Sequence, residues 1–182
     1  MTVQGIRIPA RRVGVLIGPE GRTRREIFER SGVMLNVDSE SGDVDFDESR
    51  AFDASLAVQV REIVRAIGRG FPPEMAFRLF QEDTYLEVLD LQDYVGKKPN
   101  HVARVRGRLI GTHGKTRIII EETTGANMRV EGDTVAILGD IHEVALAKEA
   151  VEMIITGAPH SAVYKMLERR RKDLRMQDLG LR

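Results

Sequence analysis

Cysteine is absent from the 182-residue sequence, which excludes a disulfide framework and any thiolate metal site. Histidine is scarce. His101, His113, His142 and His160 are the full set, and they share no spacing that would ligate a metal. No stretch approaches the roughly 18–20 consecutive apolar residues that span a bilayer. Met1 to Pro9 alternates like a strand and lacks the apolar block of a secretory leader. The expectation is a cytoplasmic protein with no membrane contact. Six prolines, 42% hydrophobic and 31% charged residues are ordinary for a globular chain, and the length suits one medium domain or two small ones.

Net charge is also missing: 28 Lys and Arg balance 28 Asp and Glu. A polyanion, however, feels local potential within about 8–10 Å at physiological salt and not the total. Arg104, Arg106, Arg108, Lys115 and Arg117 follow one another with no acid between them, and Arg7 to Arg25 holds six Arg against the single acid Glu20. The compensating acids gather at Asp38, Glu40, Asp43, Asp45, Asp47, Glu48 and Asp53. Charge alone leaves open that these runs are merely solvated faces.

What is present is an internal repeat. Gly18-Pro19-Glu20-Gly21 and Gly111-Thr112-His113-Gly114 lie 93 positions apart. The same offset pairs Gly14 with Gly107, Leu16 with Leu109, Ile17 with Ile110, Arg22 with Lys115, Arg24 with Arg117, Ile27 with Ile120 and Gly32 with Gly125. Further on the offset is 87, matching Gly70 and Pro72 to Gly157 and Pro159. The turn Ser39-Glu40-Ser41-Gly42-Asp43 accounts for the difference by lengthening the first hairpin. Two domains are expected, 1–82 and 83–182.

Each copy reads in one order. A strand (Val3–Ile8; Tyr85–Asp90) precedes a short helix that runs into Gly-x-x-Gly. A second helix starts at once (Arg22–Arg30; Lys115–Thr123), stopped by Gly32 and Gly125. A hairpin follows (Val33–Val37 with Asp43–Phe46; Asn127–Val130 with Thr134–Leu138), then a longer amphipathic helix (Ala51–Ile67; Ile141–Ile155). An added helix after Gly-x-Pro closes each copy, at Pro73–Gln81 and from His160 to about Arg175. The fold class is α+β: two antiparallel three-stranded sheets backed by helices, expected to pack together because each small unit buries a modest core.

A lone Gly-x-x-Gly carries little information. Here it recurs as apolar-Ile-Gly-x-x-Gly-basic-Thr-Arg-x-x-Ile in the same structural context twice. Glycines let a backbone approach a sugar–phosphate chain closely, and the following helix presents free N–H groups and its positive dipole to phosphate. Arg22, Arg24, Lys115 and Arg117 add charge beside that point, as do Arg106 and Arg108 before the second loop. An apolar groove beside these helices holds unstacked bases. Leu16, Ile17, Leu35 and Val37 are expected to line it in the first copy, and Leu109, Ile110, Met128 and Val130 in the second. The candidate site is therefore Gly18, Pro19, Glu20 and Gly21 with their flanks, and Gly111, Thr112, His113 and Gly114 with theirs. The plain alternative is a tight helix–turn–helix corner with no ligand.

Both units resemble type I KH domains. Leu16-Ile17-Gly18-Pro19-Glu20-Gly21, Ala66-Ile67-Gly68-Arg69-Gly70-Phe71, Arg106-Gly107-Arg108-Leu109-Ile110-Gly111, Thr134–Gly139 and Gly157–Tyr164 together are similar to one tandem-KH family. That family is the ribosome-assembly factor known as the partner of Nob, in archaea and eukaryotes. The resemblance implies β-α-α-β-β-α domains and a role in maturing small-subunit ribosomal RNA near its 3′ end. It also implies three protein partners: the endonuclease that trims that end, the rRNA dimethyltransferase and, in archaea, an initiation-factor subunit. Glu20 departs from the basic residue usual in such loops. The second copy is accordingly expected to make the stronger RNA contact, while the first is open to a protein-docking role.

The competing enzyme reading fails on spacing. Gly114-Lys115-Thr116 ends like a phosphate-binding P-loop, but that motif needs Gly at the position of Leu109. No catalytic residue, cofactor or metal is expected, and the chain is expected to be a monomer. The runner-up is a protein–protein adaptor with little direct RNA contact. Salt dependence separates the two, because phosphate contacts weaken steeply as salt rises.

Overall fold

The computed structural model describes residues 2–180, and the chain divides into two compact units, Met1–Thr84 and Tyr85–Arg182. The first contains β1 (Thr2–Arg7), α1 (Ala10–Ile17), α2 (Arg22–Ser31), β2 (Met34–Val37), β3 (Asp43–Asp47), α3 (Ala54–Gly68) and α4 (Pro73–Ala76). The second contains β4 (Tyr85–Asp90), α5 (Leu91–Val95), α6 (Pro99–Ile110), α7 (Lys115–Thr124), β5 (Asn127–Glu131), β6 (Thr134–Gly139), α8 (Ile141–Ile155) and α9 (His160–Asp178). Both sheets are antiparallel and three-stranded with the last strand in the centre, in the orders β1-β3-β2 and β4-β6-β5.

Strand parity explains the first sheet. In β3, Val44 and Phe46 are fully buried while Asp43 and Asp45 face water, the alternation of a sheet with one covered face. Leu16, Ile27, Leu35, Ile63 and Ile67 complete this core. The second core gathers Leu89, Leu109, Ile120, Met128, Ile137, Val151 and Leu167, and β6 is buried along its whole length.

Helix ends are set by local chemistry. Gly32 and Gly125 adopt φ of 74° and 86° and stop α2 and α7, each donating its N–H to the carbonyl four residues back. Asp140 accepts from the His142 and Glu143 amides while Glu143 accepts from the Asp140 amide, a reciprocal cap on α8. α3 begins at Ala54, later than the expected Ala51, because Asp53 caps it through the Ser55 amide at 2.6 Å.

Three further helices depart from the expected bounds. The helix expected over Pro73–Gln81 is a single α turn followed by a 3-10 turn, Phe77–Phe80. The tighter turn eclipses Phe77 and Phe80, and the Arg30 guanidinium lies over both rings, 5.5 and 4.3 Å from their centroids. α5 was not expected. Asp90 caps it through the Gln92 amide, and Gly96 ends it at φ 76°. α9 runs on to Asp178, beyond Arg175.

One device recurs in both units from different sequence positions. Arg12 donates to the carbonyls of Ile67 and Phe71 at 2.7 and 2.8 Å, tying α1 to the end of α3. Arg108 donates to the carbonyls of Ile154 and Ala158, the same two positions in the second copy. Arg108 matches Val15 in the repeat, one helical turn from Arg12, so the two guanidiniums reach equivalent targets from the same helix face. Orphan carbonyls at a helix C-terminus attract such cations.

The acids of the first unit close turns. Asp38 accepts from the amides of Glu40 and Ser41 at 2.8 and 3.1 Å, and these backbone hydrogen bonds, Ser41 foremost, hold its carboxyl below the usual value. Asp43 is lowered by Ser41 and then by Arg7, Asp47 by Ser49, and Asp53 by Ser55. Among the described residues no group of three or more His, Asp or Glu side chains is arranged to hold a metal.

Two outcomes are expected. Arg108→Gln should lower the unfolding free energy by about 2 kcal/mol, because charged hydrogen bonds to two carbonyls are lost, as read by urea titration. Carboxyls whose folded pKa is depressed add stability above their ordinary value, which is lost as pH falls through the folded value. The thermal midpoint of the full chain should therefore drop below about pH 4, and Asp38→Asn with Asp53→Asn should flatten that dependence.

Candidate nucleic-acid interface

The two Gly-x-x-Gly loops are superimposable in backbone terms. Gly18 and Gly111 have φ of 75° and 74°, Glu20 and His113 φ of 53° and 52°, and Gly21 and Gly114 φ of 73° and 76°. Three of four residues thus lie in the left-handed region, which costs a non-glycine residue free energy. The glycines serve different ends. A Cβ on Gly18 or Gly111 would sit 2.7 Å from the amide nitrogen of Thr23 or Thr116, so the first glycine permits close packing on the next helix. A Cβ on Gly21 would meet nothing within 4 Å, and one on Gly114 nothing nearer than 3.8 Å. The second glycine supplies the turn and leaves the space above it open.

α2 and α7 start immediately after these loops, and no side chain caps either N-terminus. Their first N–H groups and the positive end of the dipole face the loop. Pro19, Glu20, Arg22, Arg24, Thr112, His113 and Lys115 are exposed around this point, and the four loop glycines are half-buried. The Arg25 guanidinium donates to the Glu20 carbonyl at 3.1 Å, leaving the Glu20 carboxylate at the surface.

Beside the first loop, an open groove between α2 and β2 is lined by Arg24, Arg25, Phe28, Met34, Leu35 and Asn36. The expected wall needs correction. Leu16 is 0% exposed and lies in the core beneath the groove, whereas Leu35, 2% exposed, still forms part of its floor, and Ile17 and Val37 keep surface. Phe28, Met34 and Asn36 were missed. Strand parity was the available signal, since Met34 and Asn36 flank the inward-facing Leu35.

The second unit differs at the same place. Phe28 corresponds to Glu121, whose carboxylate spans the groove. It takes Arg117 at 2.7 Å, Arg129 at 3.4 Å and the Met128 amide of β5 at 2.7 Å. Leu109 and Met128 are each 0% exposed, a second correction to the expected wall, while Ile110 and Val130 are half-buried. Three cations expected to meet nucleic acid have partners within the unit. Arg117 pairs with Glu121, Arg106 donates to the Gly132 carbonyl at 3.1 Å, and Arg108 clamps the end of α8. Lys115 has no such partner among the described residues.

Residues 85–172 match a eukaryotic-type KH domain of type I, and residues 3–52 match a KH domain. A KH domain-containing protein of Methanocaldococcus jannaschii is 43% identical over 174 residues, covering 96% of this chain and 76% of its own length. The pre-rRNA-processing protein pno1 of Schizosaccharomyces pombe is 28% identical over 143 residues, and the chain spans 59% of its length. The crystal structure of Dim2p from Pyrococcus horikoshii OT3 superposes with a TM-score of 0.83 at 44% identity, covering 91% of this chain and 98% of that one. A chain of the a/eIF2alpha–aDim2p–rRNA complex from the same organism gives 0.85 at 45% identity, covering 93% and 94%. Matching domain models in both halves, a relative this similar along most of both chains, and the doubled loop geometry lead to one assignment: the chain belongs to the tandem KH-domain family of Dim2 and Pno1 pre-rRNA-processing proteins.

Proposed function

We propose that this protein binds single-stranded small-subunit ribosomal RNA near its 3′ end during rRNA processing, gripping the strand with its Gly-x-x-Gly loops. The observation that carries the reading is the open space over Gly21 and Gly114 in front of two uncapped helix N-termini. A phosphate seated there meets backbone N–H donors and a positive dipole. Arg22 and Arg24 supply charge in the first unit, and Lys115 in the second. Thr112 and His113 are compatible with an anion. Bases lie in the adjoining groove, against Phe28 and Met34 in the first unit and against Ile110 and Val130 in the second, where side-chain stacking and edge hydrogen bonds replace base pairing. The role is binding and positioning, with no catalytic group of its own.

A second reading applies to the first unit. Glu20 projects a carboxylate at the loop tip, where a phosphate would lie, which favours a protein partner there. By family resemblance that partner is the rRNA-trimming endonuclease, the rRNA dimethyltransferase or an initiation-factor subunit. The chain acts in the cytoplasm as a monomer under both readings.

Fluorescence anisotropy with RNA of the small-subunit 3′ end tests the clamp. Thr112→Asp/His113→Asp should weaken binding by about tenfold or more and reduce its salt dependence, while Pro19→Asp should have the smaller effect. A wild type that binds no better than the double variant would replace the clamp with the adaptor reading. Glu121→Gln keeps an acceptor for the Met128 amide but releases Arg117 from its ion pair. It should tighten binding by about threefold with a steeper salt slope, and weaker binding would instead make the carboxylate a base acceptor.

A further inference from the structure

The loop of the second unit also borders the added helix α9. Away from β5, a depression behind it is lined by Arg104, Gly107, Gly111, Thr112, Lys115, His160 and Tyr164. A second depression along α9 is lined by Tyr164, Lys165, Glu168, Arg169 and Lys172. Tyr164 belongs to both, so they form one lane from the Gly-x-x-Gly segment along the added helix. Residues 165, 169 and 172 recur at helical spacing and share one face, and Tyr164 to Lys172 covers about 12 Å of helix.

Two contacts hold α9 to the loop. The Tyr164 hydroxyl lies 3.2 Å from Thr116 Oγ1, and His160 Nε2 lies 2.9 Å from the Arg108 carbonyl. Thr116 is also the residue on which Gly111 packs, so the lane and the loop share a rigid base.

The cations of the lane differ from their neighbours in having no acid. Arg104, Lys115, Lys165, Arg169 and Lys172 are all exposed and make no ion pair with any described carboxylate. On other faces of the same unit Arg117 pairs with Glu121, Lys148 with Glu87 and Arg170 with Glu149. Glu168 is the one acid lining the lane. Among the described residues the first unit has no equivalent, because its counterpart segment ends in the 3-10 turn at Phe80 and places Phe77, without a hydroxyl, where Tyr164 stands.

We propose that this lane binds the sugar–phosphate backbone of the same RNA strand beyond the nucleotides held in the KH groove, with Lys165, Arg169 and Lys172 as its phosphate contacts and Tyr164 as its junction with the loop. The inference rests on the RNA-clamp reading. It makes α9 a second, sequence-independent binding element and gives the second unit a longer footprint than the four nucleotides typical of a KH clamp.

Anisotropy on the full chain tests it with two labelled single-stranded RNAs, one of about four nucleotides that fills only the groove and one of about ten. Lys165→Ala/Arg169→Ala/Lys172→Ala should weaken the longer RNA by about tenfold and lower its salt slope by about 2, leaving the shorter one unchanged. Glu168→Gln should strengthen the longer RNA alone, and Arg170→Ala, on the paired face, should alter neither. Circular dichroism of each variant checks that α9 remains folded. The lane is overturned if the triple variant binds the longer RNA like wild type, or loses both RNAs equally. If wild type binds neither length, the clamp fails and the lane with it. Binding of the short RNA with no gain from length leaves the clamp standing and removes the lane.

Discussion

The closeness of Gly18 to Thr23, and of Gly111 to Thr116, constrains everything around each loop. Only a residue without a Cβ lets the chain fold back onto the amide of the next helix at that distance, and this contact sets where α2 and α7 begin. Because the helices begin there without side-chain caps, their N-terminal donors point at the loop and not into the fold. The left-handed residues that follow complete the reversal at a conformational cost that the packed helices on either side sustain. The cores, the grooves and the position of α9 are then arranged about this corner.

The two units keep that corner and diverge around it. In the first, Phe28 and Met34 leave the groove open and partly apolar. In the second, Glu121 at the Phe28 position draws Arg117, Arg129 and the Met128 amide together across it. The C-terminal additions diverge as well. Arg30 stacked on Phe77 and Phe80 fits a short 3-10 turn in the first unit, whereas α9 extends for 19 residues in the second. A duplicated fold thus carries two differently equipped surfaces.

Zero net charge conceals how the charges are used. Arg12 and Arg108 neutralise helix C-termini, the acids from Asp38 to Asp53 close turns and cap α3, and Lys148 and Arg170 are paired. Among the described cations without an ion pair, Arg104, Lys115 and the exposed face of α9 lie beside the second loop, and Arg22 and Arg24 lie at the first. Long-range field and local availability are separate quantities, and the latter determines which cations reach a phosphate.

By itself the sequence determined the repeat, the order of the elements common to both copies, the strands Tyr85–Asp90 and Asn127–Val130, the helix Ile141–Ile155 and the loops at Gly18 and Gly111. These follow from local rules: glycine tolerates positive φ and stops helices, and apolar residues recur at periods of two or 3.6. Tertiary structure alone decided which candidates remained available. Arg108 reaches carbonyls 46 and 50 residues away, Arg106 a turn 26 away, and Leu16, Leu109 and Met128 sink beneath the groove they were expected to line. The physical reason is that a long cationic side chain finds its partner through space. Periodicity shows which face of an element is apolar, but the depth to which that face is covered depends on neighbours brought in from elsewhere in the chain.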